Sequence, residues 1–533
     1  MLRNVCAAQE KKKELNSICE ICKEKSELQA AHKKGNDRKK IIENNLKKFL
    51  IDDGSQVVKV NLEEIEKLVV EAKNRINYSS NQASLFSFLS ETDVAIKNFV
   101  EHIANLQVHT IGPELVFGNL FNQIGFNVIK DELFRHIVVA RLAYPTSKLK
   151  TVDYLYRYRG IRMEVDTVYR FLDKLCDKYK ETVERVAYEY TKRTLRGISV
   201  VFYDVTTLYF EAEDEDDLRK IGFSKDGKFQ SPQIMLGLLV GQNGYPIGYN
   251  IFEGNAFEGH TLLPVLEGIQ RKYGLSRPTV IADAAMLSKK NLENLTKEKY
   301  QFIIGGRIKN ETDKVQQEIL IRAKGSKDGQ SFVLKKLDGT RLVVKYSDKR
   351  QRKDGHNRER GLLKLRQKVR SGKLTKESIN NKGYNKFLTL KGEVKVEIDE
   401  EKVKEDQKWD GLKGYITNTR LSPKSIVENY RHLWQIEKAF RISKTDLRIR
   451  PVYHYRRKRI EAHICIAFVA YTIYKELERL LEKHNAGFSP KRAAELTHNM
   501  YQLEYTLPHA KKKEKVILKM DQEQETLYSV TQE

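Results

Sequence analysis

Three acidic side chains stand at positions where the surrounding sequence is apolar. Asp204 interrupts the β-branched run 198–205, which is typical of a strand buried on both faces. Asp283 ends a second such run, and Glu437 lies on an apolar and aromatic helical stripe. Because a carboxylate beside a core is costly unless it is paired, neutralised or bound to metal, three of them on separate elements suggest a shared cation.

The cation that suits such a site is Mg²⁺, which prefers carboxylate oxygens, water and substrate phosphates as ligands. Two such ions about 3.5–4 Å apart can activate water and stabilise the leaving oxygen in phosphodiester cleavage. Each acid also has a purely structural alternative. Asp204 could end its strand with a turn, Asp283 could cap the next helix, and Glu437 could pair with Arg441 at i,i+4.

The element that carries Glu437 is predicted to be one long helix. It begins at Ser422, a capping residue followed by proline, and stops before Pro451. One stripe of this helix contains Ile426, Tyr430, Leu433, Glu437, Phe440 and Lys444. Tyr430, Glu437 and Lys444 are spaced by sevens, so on a continuous helix they lie within roughly 40° of one another.

The other two acids belong to a pattern of strands and helices that predicts a mixed sheet. Predicted strands lie at 198–205, 233–240, 245–252, 279–283 and 302–305, with helices at 261–273 and 288–299. The Gly-Gln-Asn-Gly turn between the second and third strands indicates a hairpin. The order β-β-β-α-β-α-β predicts an α+β fold, a mixed sheet flanked by helices, in which all three acids meet at one sheet edge.

The rest of the chain divides by composition. The predicted regions are a helical basic region at 1–108, a helical region at 109–195, the first part of the core at 196–308, a β-rich basic insertion at 309–421, the second part of the core at 422–484 and a basic tail at 485–533. Residues 344–374 contain 12 Lys+Arg and 3 Asp+Glu, which favours a phosphate-contacting surface over a solvated helix. Cys19 and Cys22 form a lone C-x-x-C; unpaired cysteines are the expectation, and zinc binding with Cys6 and His32 is the alternative.

Composition narrows the class of protein. The 533 residues contain 97 Lys+Arg and 72 Asp+Glu, a net charge of +25, which favours nucleic acid as partner over an acidic membrane surface. The longest apolar run, 464–474, is about half a membrane span, and no phosphate-loop motif is present. Five cysteines and the absence of an N-terminal apolar segment predict a reducing compartment, the cytoplasm.

Several stretches resemble the DDE transposases of bacterial insertion sequences, whose catalytic domain has an RNase H-like fold. They are VVFYDVTTLYFE (200–211), FEGNAFEGHTL (252–262), VIADAAMLS (280–288), VKYSDKRQRKDGHNRER (344–360) and YRHLWQIEKAFRISKTDLRIRPVYH (430–454). The sequence is similar to the branch with a β-rich insertion before the glutamate and a Tyr-x2-Arg-x3-Glu-x6-Lys signature. The resemblance covers roughly residues 110–480.

The resemblance implies roles for individual residues. Asp204, Asp283 and Glu437 match the metal-binding triad, while Tyr430 and Lys444 match signature residues that contact DNA phosphates. The position of the signature arginine holds Leu433. Candidates to replace the arginine are Arg441, Arg448 and Arg450. Trp409, from the insertion, either stacks on a flipped base or belongs to the core, the latter being favoured.

The expected function is that of a transposase using two Mg²⁺ or Mn²⁺ ions. Such an enzyme would bind double-stranded DNA, the terminal inverted repeats of its element, and cleave each end to expose a 3′-OH. The 3′-OH would then attack target DNA, with two ends held by a homodimer at a prokaryotic nucleoid and no membrane involved. The alternatives are a non-transposing nuclease on the same fold and a catalytically inactive DNA-binding remnant.

Overall fold

The computed structural model describes residues 107–532, apart from residues 287, 373, 375, 381–382, 392–394 and 507–512, and the short segments 50–52 and 57–59. The predictions for Cys19 and Cys22, and those for the remainder of the first 106 residues, lie outside the described residues. Residues 120–149 and 164–477 form one compact unit, and the described parts of 1–119, 150–163 and 478–533 belong to a second. In the described part of the chain, no helix combines the length and apolarity needed to cross a membrane.

The strands are numbered in chain order over the described residues. They are β1 Leu50–Asp52, β2 Val57–Lys59, β3 Gln107–Thr110, β4 Val200–Tyr209, β5 Gln233–Val240, β6 Pro246–Glu253, β7 Thr279–Ala282, β8 Gln301–Gly306, β9 Ser331–Lys335, β10 Arg341–Tyr346, β11 Leu388–Lys391, β12 Lys395–Ile398, β13 Leu412–Thr417, β14 Tyr501–Thr506 and β15 Lys513–Ile517.

The α-helices are numbered in the same way. They are α1 Asn119–Ile124, α2 Glu132–Ala143, α3 Lys148–Arg159, α4 Val165–Lys174, α5 Lys180–Thr194, α6 Leu262–Tyr273, α7 Lys289–Lys297, α8 Asp313–Ala323, α9 Asp348–Arg370, α10 Glu400–Gln407, α11 Pro423–Arg431, α12 Trp434–Thr445, α13 Arg457–Lys483, α14 Pro490–Thr497 and α15 Gln522–Gln532.

An eight-stranded mixed sheet organises the larger unit, and it contains the mixed sheet of five strands that the sequence predicts. Its strand order is β6-β5-β4-β7-β8-β13-β10-β9. Strands β4, β7 and β8 are parallel, while β5 and β6 form the predicted antiparallel hairpin beside β4. All eight residues of β5 are buried, because helices cover both faces of a strand whose residues are almost all apolar. Helix α6 buries Leu262, Val265 and Leu266 in the core that lies on this sheet.

Strands from the region predicted as a β-rich insertion extend the same sheet. Strands β9 and β10 add to β13, so the same sheet continues through the insertion boundary. The basic stretch 344–374 contains the 23-residue helix α9. This helix buries Leu362 and Leu365 in a second, smaller apolar cluster with Phe387 and Leu388. The domain boundaries drawn from the sequence stay predictions.

The single helix predicted over residues 422–450 is wrong in one respect, because the chain forms two helices there. Helix α11 ends at Arg431 and α12 begins at Trp434. Between them the backbone tightens into i→i+3 hydrogen bonds, from Gln435 N to His432 O and from Ile436 N to Leu433 O. The apolar stripe runs through the break without interruption, so periodicity could not reveal it.

The region predicted as a basic tail contains secondary structure. Strand β14 pairs with β15 and with β3, and helices α14 and α15 lie on either side of this hairpin in sequence. In β15 the exposed lysines alternate with half-buried residues, which is the period of a strand with one exposed face. The prediction of a basic tail considered only the positive charge of this segment and therefore missed the strand.

Candidate active site

Asp204 and Asp283 occupy equivalent places on two neighbouring parallel strands. The last paired positions of β4 and β7 are Tyr203 and Ala282, and each acid is the next residue of its strand. Because neighbouring strands lie about 4.8 Å apart, this register brings the two carboxylates to the same edge of the sheet. The two acids lie side by side because paired residues advance together along two parallel strands, so the residue after Tyr203 is next to the residue after Ala282.

The Asp204 carboxylate is half-buried in surroundings that disfavour its negative charge. The pKa of Asp204 is raised to about 6, chiefly by burial and to a smaller extent by the nearby Glu258 and Asp283 carboxylates, while the Lys225 ammonium opposes the rise. The side chain is 24% exposed, and its Oδ1 lies 3.8 Å from Lys225 Nζ. Lys225 Nζ also lies 2.9 Å from Glu258 and donates to the Val205 carbonyl oxygen at 2.6 Å. A cation therefore already lies beside Asp204.

Asp283 is exposed and is held by two short-range contacts. Its Oδ1 accepts a hydrogen bond from the Ala284 amide at 2.6 Å and one from the Tyr430 hydroxyl at 3.4 Å. The following helix, α7, is capped by Ser288, whose Oγ accepts from the Asn291 amide. The alternative in which Asp283 caps that helix is therefore not the arrangement found.

Glu437 lies in the first turn of α12 with its side chain exposed. Among the described residues, neither Glu437 nor Arg441 has an ion-pair partner within 4.0 Å, so the predicted i,i+4 pair does not form. The carboxylates of Asp283 and Glu437 both raise the pKa values of Lys413 and Tyr430. The two acids therefore lie near the same pair of residues. Helix α12, which carries Glu437, packs on β4 and β5, and β4 is the strand that carries Asp204.

The three acids are not gathered into a closed ligand cage. Within residues 107–532, as far as they are described, no three His, Cys, Asp or Glu side chains come close enough together to hold one metal ion. A site for Mg²⁺ does not need such a cage, because this ion is usually bound by one or two carboxylates together with water and substrate phosphates. The hard oxygen donors at this edge therefore fit a divalent ion.

Lys444 and Arg450 converge on one carboxylate, that of Asp226. Lys444 Nζ lies 3.2 Å from Asp226 Oδ2, and Arg450 Nε lies 3.3 Å from the same oxygen. Desolvation lowers the pKa of Lys444, although Asp226 acts in the opposite direction. Asp226 belongs to the same short segment as Lys225, so adjacent residues contact Asp204 on one side and this basic pair on the other.

The remaining predicted DNA contacts are dispersed. The side chains of Arg441 and Arg448 are exposed, and the Arg448 carbonyl accepts a hydrogen bond from Arg141. Leu433, in the place of the signature arginine, is buried. Trp409 is only partly buried against the sheet core, and it also lines an open cavity of about 760 Å³ together with Asp283.

Three residues near the acids escaped the sequence prediction: Lys225, Glu258 and Lys413. Glu258 lies in the stretch FEGNAFEGHTL, where its acidic type was visible but its approach to Asp204 was not. Lys225 belongs to a loop with no periodic pattern. Lys413 is a lysine in a strand whose other five residues are all buried, and that contrast was a usable signal.

Comparison with known proteins identifies the family of the chain. The family model described as "Transposase DDE domain" matches residues 195–473, just over half of the chain. No curated protein matches. Two solved structures are similar: a piggyBac transposase synaptic complex with hairpin DNA (10% identity over 72% of this chain and 76% of that chain, TM-score 0.37) and a Mos1 transposase paired-end complex with the left transposon end (11% identity, 34% and 57%, TM-score 0.15).

The matched segment begins just before β4 and ends within α13, so it contains all three candidate acids and the insertion. Because the structural scores are low, the assignment depends on the family match and not on the superpositions. The chain belongs to the family of transposases with a DDE domain.

Proposed function

We propose that this chain cuts the ends of its own mobile element and joins the freed 3′-OH to target DNA, with Asp204, Asp283 and Glu437 holding two Mg²⁺ or Mn²⁺ ions. The observation that carries the proposal is the register of β4 and β7, which aligns Asp204 with Asp283 at one sheet edge. Glu437 lies on the helix packed against β4.

The burial of Asp204 supports a cation at this edge. A carboxylate whose pKa rises to about 6 is destabilised by its surroundings when it is ionised. A divalent ion offsets that cost more fully than the Lys225 ammonium at 3.8 Å. When bound, the ions would activate water for attack on the phosphodiester and stabilise the leaving oxygen.

The protein side chains would hold the DNA backbone around the cleavage position. Lys444 and Arg450 provide two positive charges on one carboxylate, Asp226, and a DNA phosphate would compete for the same pair. Trp409 lines a cavity beside Asp283, where it would contact a nucleotide displaced from the duplex. Two element ends imply two active sites, so we infer that a homodimer holds the synapsed DNA.

The decisive experiment is a nicking assay on duplex DNA that spans the boundary of the terminal inverted repeat found beside the gene. With Mg²⁺, we expect a nick at the boundary that exposes a 3′-OH. Glu437→Gln should abolish the nick while leaving DNA affinity within about twofold, because it removes a ligand oxygen charge without changing shape. Glu428→Gln, the same change at an exposed glutamate of the preceding helix α11, is the matched control, and it should keep its nick.

The outcome also separates the alternatives. Precleaved ends incubated with plasmid target should yield joined products if the chain is a transposase. Nicking without joining would favour a non-transposing nuclease. Salt-sensitive binding with neither nicking nor joining would favour an inactive DNA-binding remnant.

A further inference from the structure

Lys413 lies beside the candidate active site on β13, the strand that precedes the Glu437 helix. Its ammonium nitrogen is 4.5 Å from the centre of the Tyr430 ring and 5.7 Å from that of Tyr415. The side chain is half-buried and lines the 760 Å³ cavity together with Asp283 and Trp409. Lys413 therefore projects into open space at the acid edge of the sheet.

Four other cations at this edge already have anionic partners. Lys225 pairs with Glu258, while Lys444 and Arg450 share Asp226. Arg350, which also lines the cavity, pairs with Asp354 at 3.3 Å. Across the described residues, Lys413 has no carboxylate within 4.0 Å and no hydrogen-bond partner for its ammonium group.

A second lysine adds to the positive charge. Lys345 of β10 is directly opposite Lys413 in the antiparallel register, so the two side chains emerge on the same face of the sheet. Like charges directly opposite each other destabilise a sheet unless an anion lies between or above them. Burial and Arg350 lower the pKa of Lys413, while Asp283 and Glu437 act in the opposite direction. An anion bound here would stabilise the two lysines, and the described residues place no carboxylate within 4.0 Å of Lys413.

We propose that Lys413 binds the DNA phosphate at or next to the scissile bond and provides the positive charge that is absent at Leu433. The inference rests on the proposed DNA cleavage function. The phosphate would lie between the Lys413 ammonium and the acid edge formed by Asp283 and Glu437. Leu433 itself is buried, so its position faces the core instead of the DNA.

The first test compares Lys413→Met, Lys413→Arg and the control Lys404→Met. Lys404 is an exposed lysine of α10 that pairs with Glu401. We expect Lys413→Met to lower affinity for the boundary duplex about tenfold, the range for loss of one charge-assisted hydrogen bond, and to reduce the slope of log K against log salt by about one. Lys413→Arg should recover most of the affinity, and Lys404→Met should match wild type.

The second test determines which single phosphate of the DNA the Lys413 side chain contacts. Boundary duplexes are made with one neutral methylphosphonate at the scissile position or at either neighbouring position, and binding is measured in Ca²⁺ to prevent cleavage. At one of these positions, wild type should lose about tenfold in affinity, whereas Lys413→Met should lose less than about twofold because the contact is already absent. Thermal unfolding of each variant checks that the fold is intact, and Lys413→Arg provides the charged comparison if methionine disturbs packing.

The two hypotheses fail in different ways. If wild type binds boundary DNA no better than unrelated DNA and is indifferent to every methylphosphonate, the proposed function is wrong. If wild type responds to a methylphosphonate and Lys413→Met responds to the same extent, the cleavage function stands and the role of Lys413 is refuted. Equal affinity of Lys413→Met and wild type for unmodified boundary DNA would refute it as well.

Discussion

The Tyr430 hydroxyl donates a hydrogen bond to Asp283 over 3.4 Å, linking two positions 147 residues apart in the chain. Tyr430 is buried, and its ring packs edge-on against that of Tyr415, with the ring centres 4.9 Å apart. The Lys413 ammonium nitrogen lies 4.5 Å from the centre of the Tyr430 ring. Tyr430 therefore fixes the orientation of one candidate metal ligand from within the apolar core. This role differs from the direct phosphate contact that the resemblance implied for it.

Tyr430→Phe should lower the cleavage rate by about two- to fivefold, because a long hydrogen bond contributes roughly 0.5–1 kcal/mol. The free energy of unfolding should change by less than about 1 kcal/mol, since the ring and its packing remain. Tyr430→Ala should instead lower the unfolding midpoint, because removing a buried aromatic ring costs roughly 3–5 kcal/mol. Nicking kinetics and thermal unfolding measure the two effects separately. Loss of DNA affinity in Tyr430→Phe, with an unchanged cleavage rate at saturation, would instead favour a direct phosphate contact.

Asp204→Asn should abolish nicking and yet stabilise the protein at neutral pH. Burial raises the pKa of Asp204 in the folded state to about 6, from an unfolded value of 3.8. Between these two pH values Asp204 is protonated in the folded state but ionised in the unfolded state. The free energy of unfolding therefore falls as pH rises from about 4 to about 6. Above that window the ionised form of Asp204 costs roughly 1–3 kcal/mol.

Unfolding midpoints of Asp204→Asn and wild type, compared in EDTA at pH 7.5 and at pH 4, test this directly. The variant should unfold at higher temperature at pH 7.5, and the difference should shrink at pH 4, where Asp204 is protonated in the folded state. A variant less stable than wild type at pH 7.5 would indicate that the Asp204 carboxylate has a structural role within β4.

Lys225→Met should strengthen binding of Mn²⁺ to the DNA-free protein by about threefold or more, because it removes a competing positive charge near Asp204. The ammonium group is 3.8 Å from Asp204 and 2.9 Å from Glu258. Calorimetric titration at pH 8 measures the affinity, with Lys228→Met, a neighbouring lysine of the same loop, as control. Weaker Mn²⁺ binding in Lys225→Met would show that the lysine orients the carboxylates and does not compete with the ion.

His454 should make the protein sensitive to acid. Burial, together with Lys148 and Arg141, lowers the pKa of His454 to about 3 in the folded state. The unfolded chain binds this proton below about pH 6.5, so stability is lost as pH falls from 6.5 towards 3. At pH 4.5 the loss from this residue is roughly 2–3 kcal/mol.

His454→Gln should therefore show a flatter dependence of the unfolding midpoint on pH between 7 and 4.5. His463, which contacts His454 at 5.4 Å and whose pKa burial also lowers, keeps part of the dependence in the variant. His260, an exposed histidine, provides the control: His260→Gln should retain the wild-type pH profile. An unchanged profile in His454→Gln would contradict the prediction.

The sequence was sufficient to predict the features of this candidate site that depend on the order of the strands. The apolar runs ending at Asp204 and Asp283 predicted two neighbouring strands, and a parallel register requires only that both strands run in step. The break between Tyr430 and Glu437 was not predictable, because the apolar spacing continues unchanged from one helix into the next. The contact of Lys225 with Asp204 was also hidden, since a loop without periodicity does not indicate which carboxylate its lysine approaches.

Strand β13 has a consequence for how the chain is made. It pairs with β8 in the sheet, yet 111 residues separate the end of β8 at Gly306 from the end of β13 at Thr417. At about 5–20 residues per second, a ribosome needs roughly 6–22 seconds to deliver the partner after β8 has emerged. During that interval Phe302, Ile303 and Ile304 form an open, apolar strand edge, the kind that templates association between nascent chains.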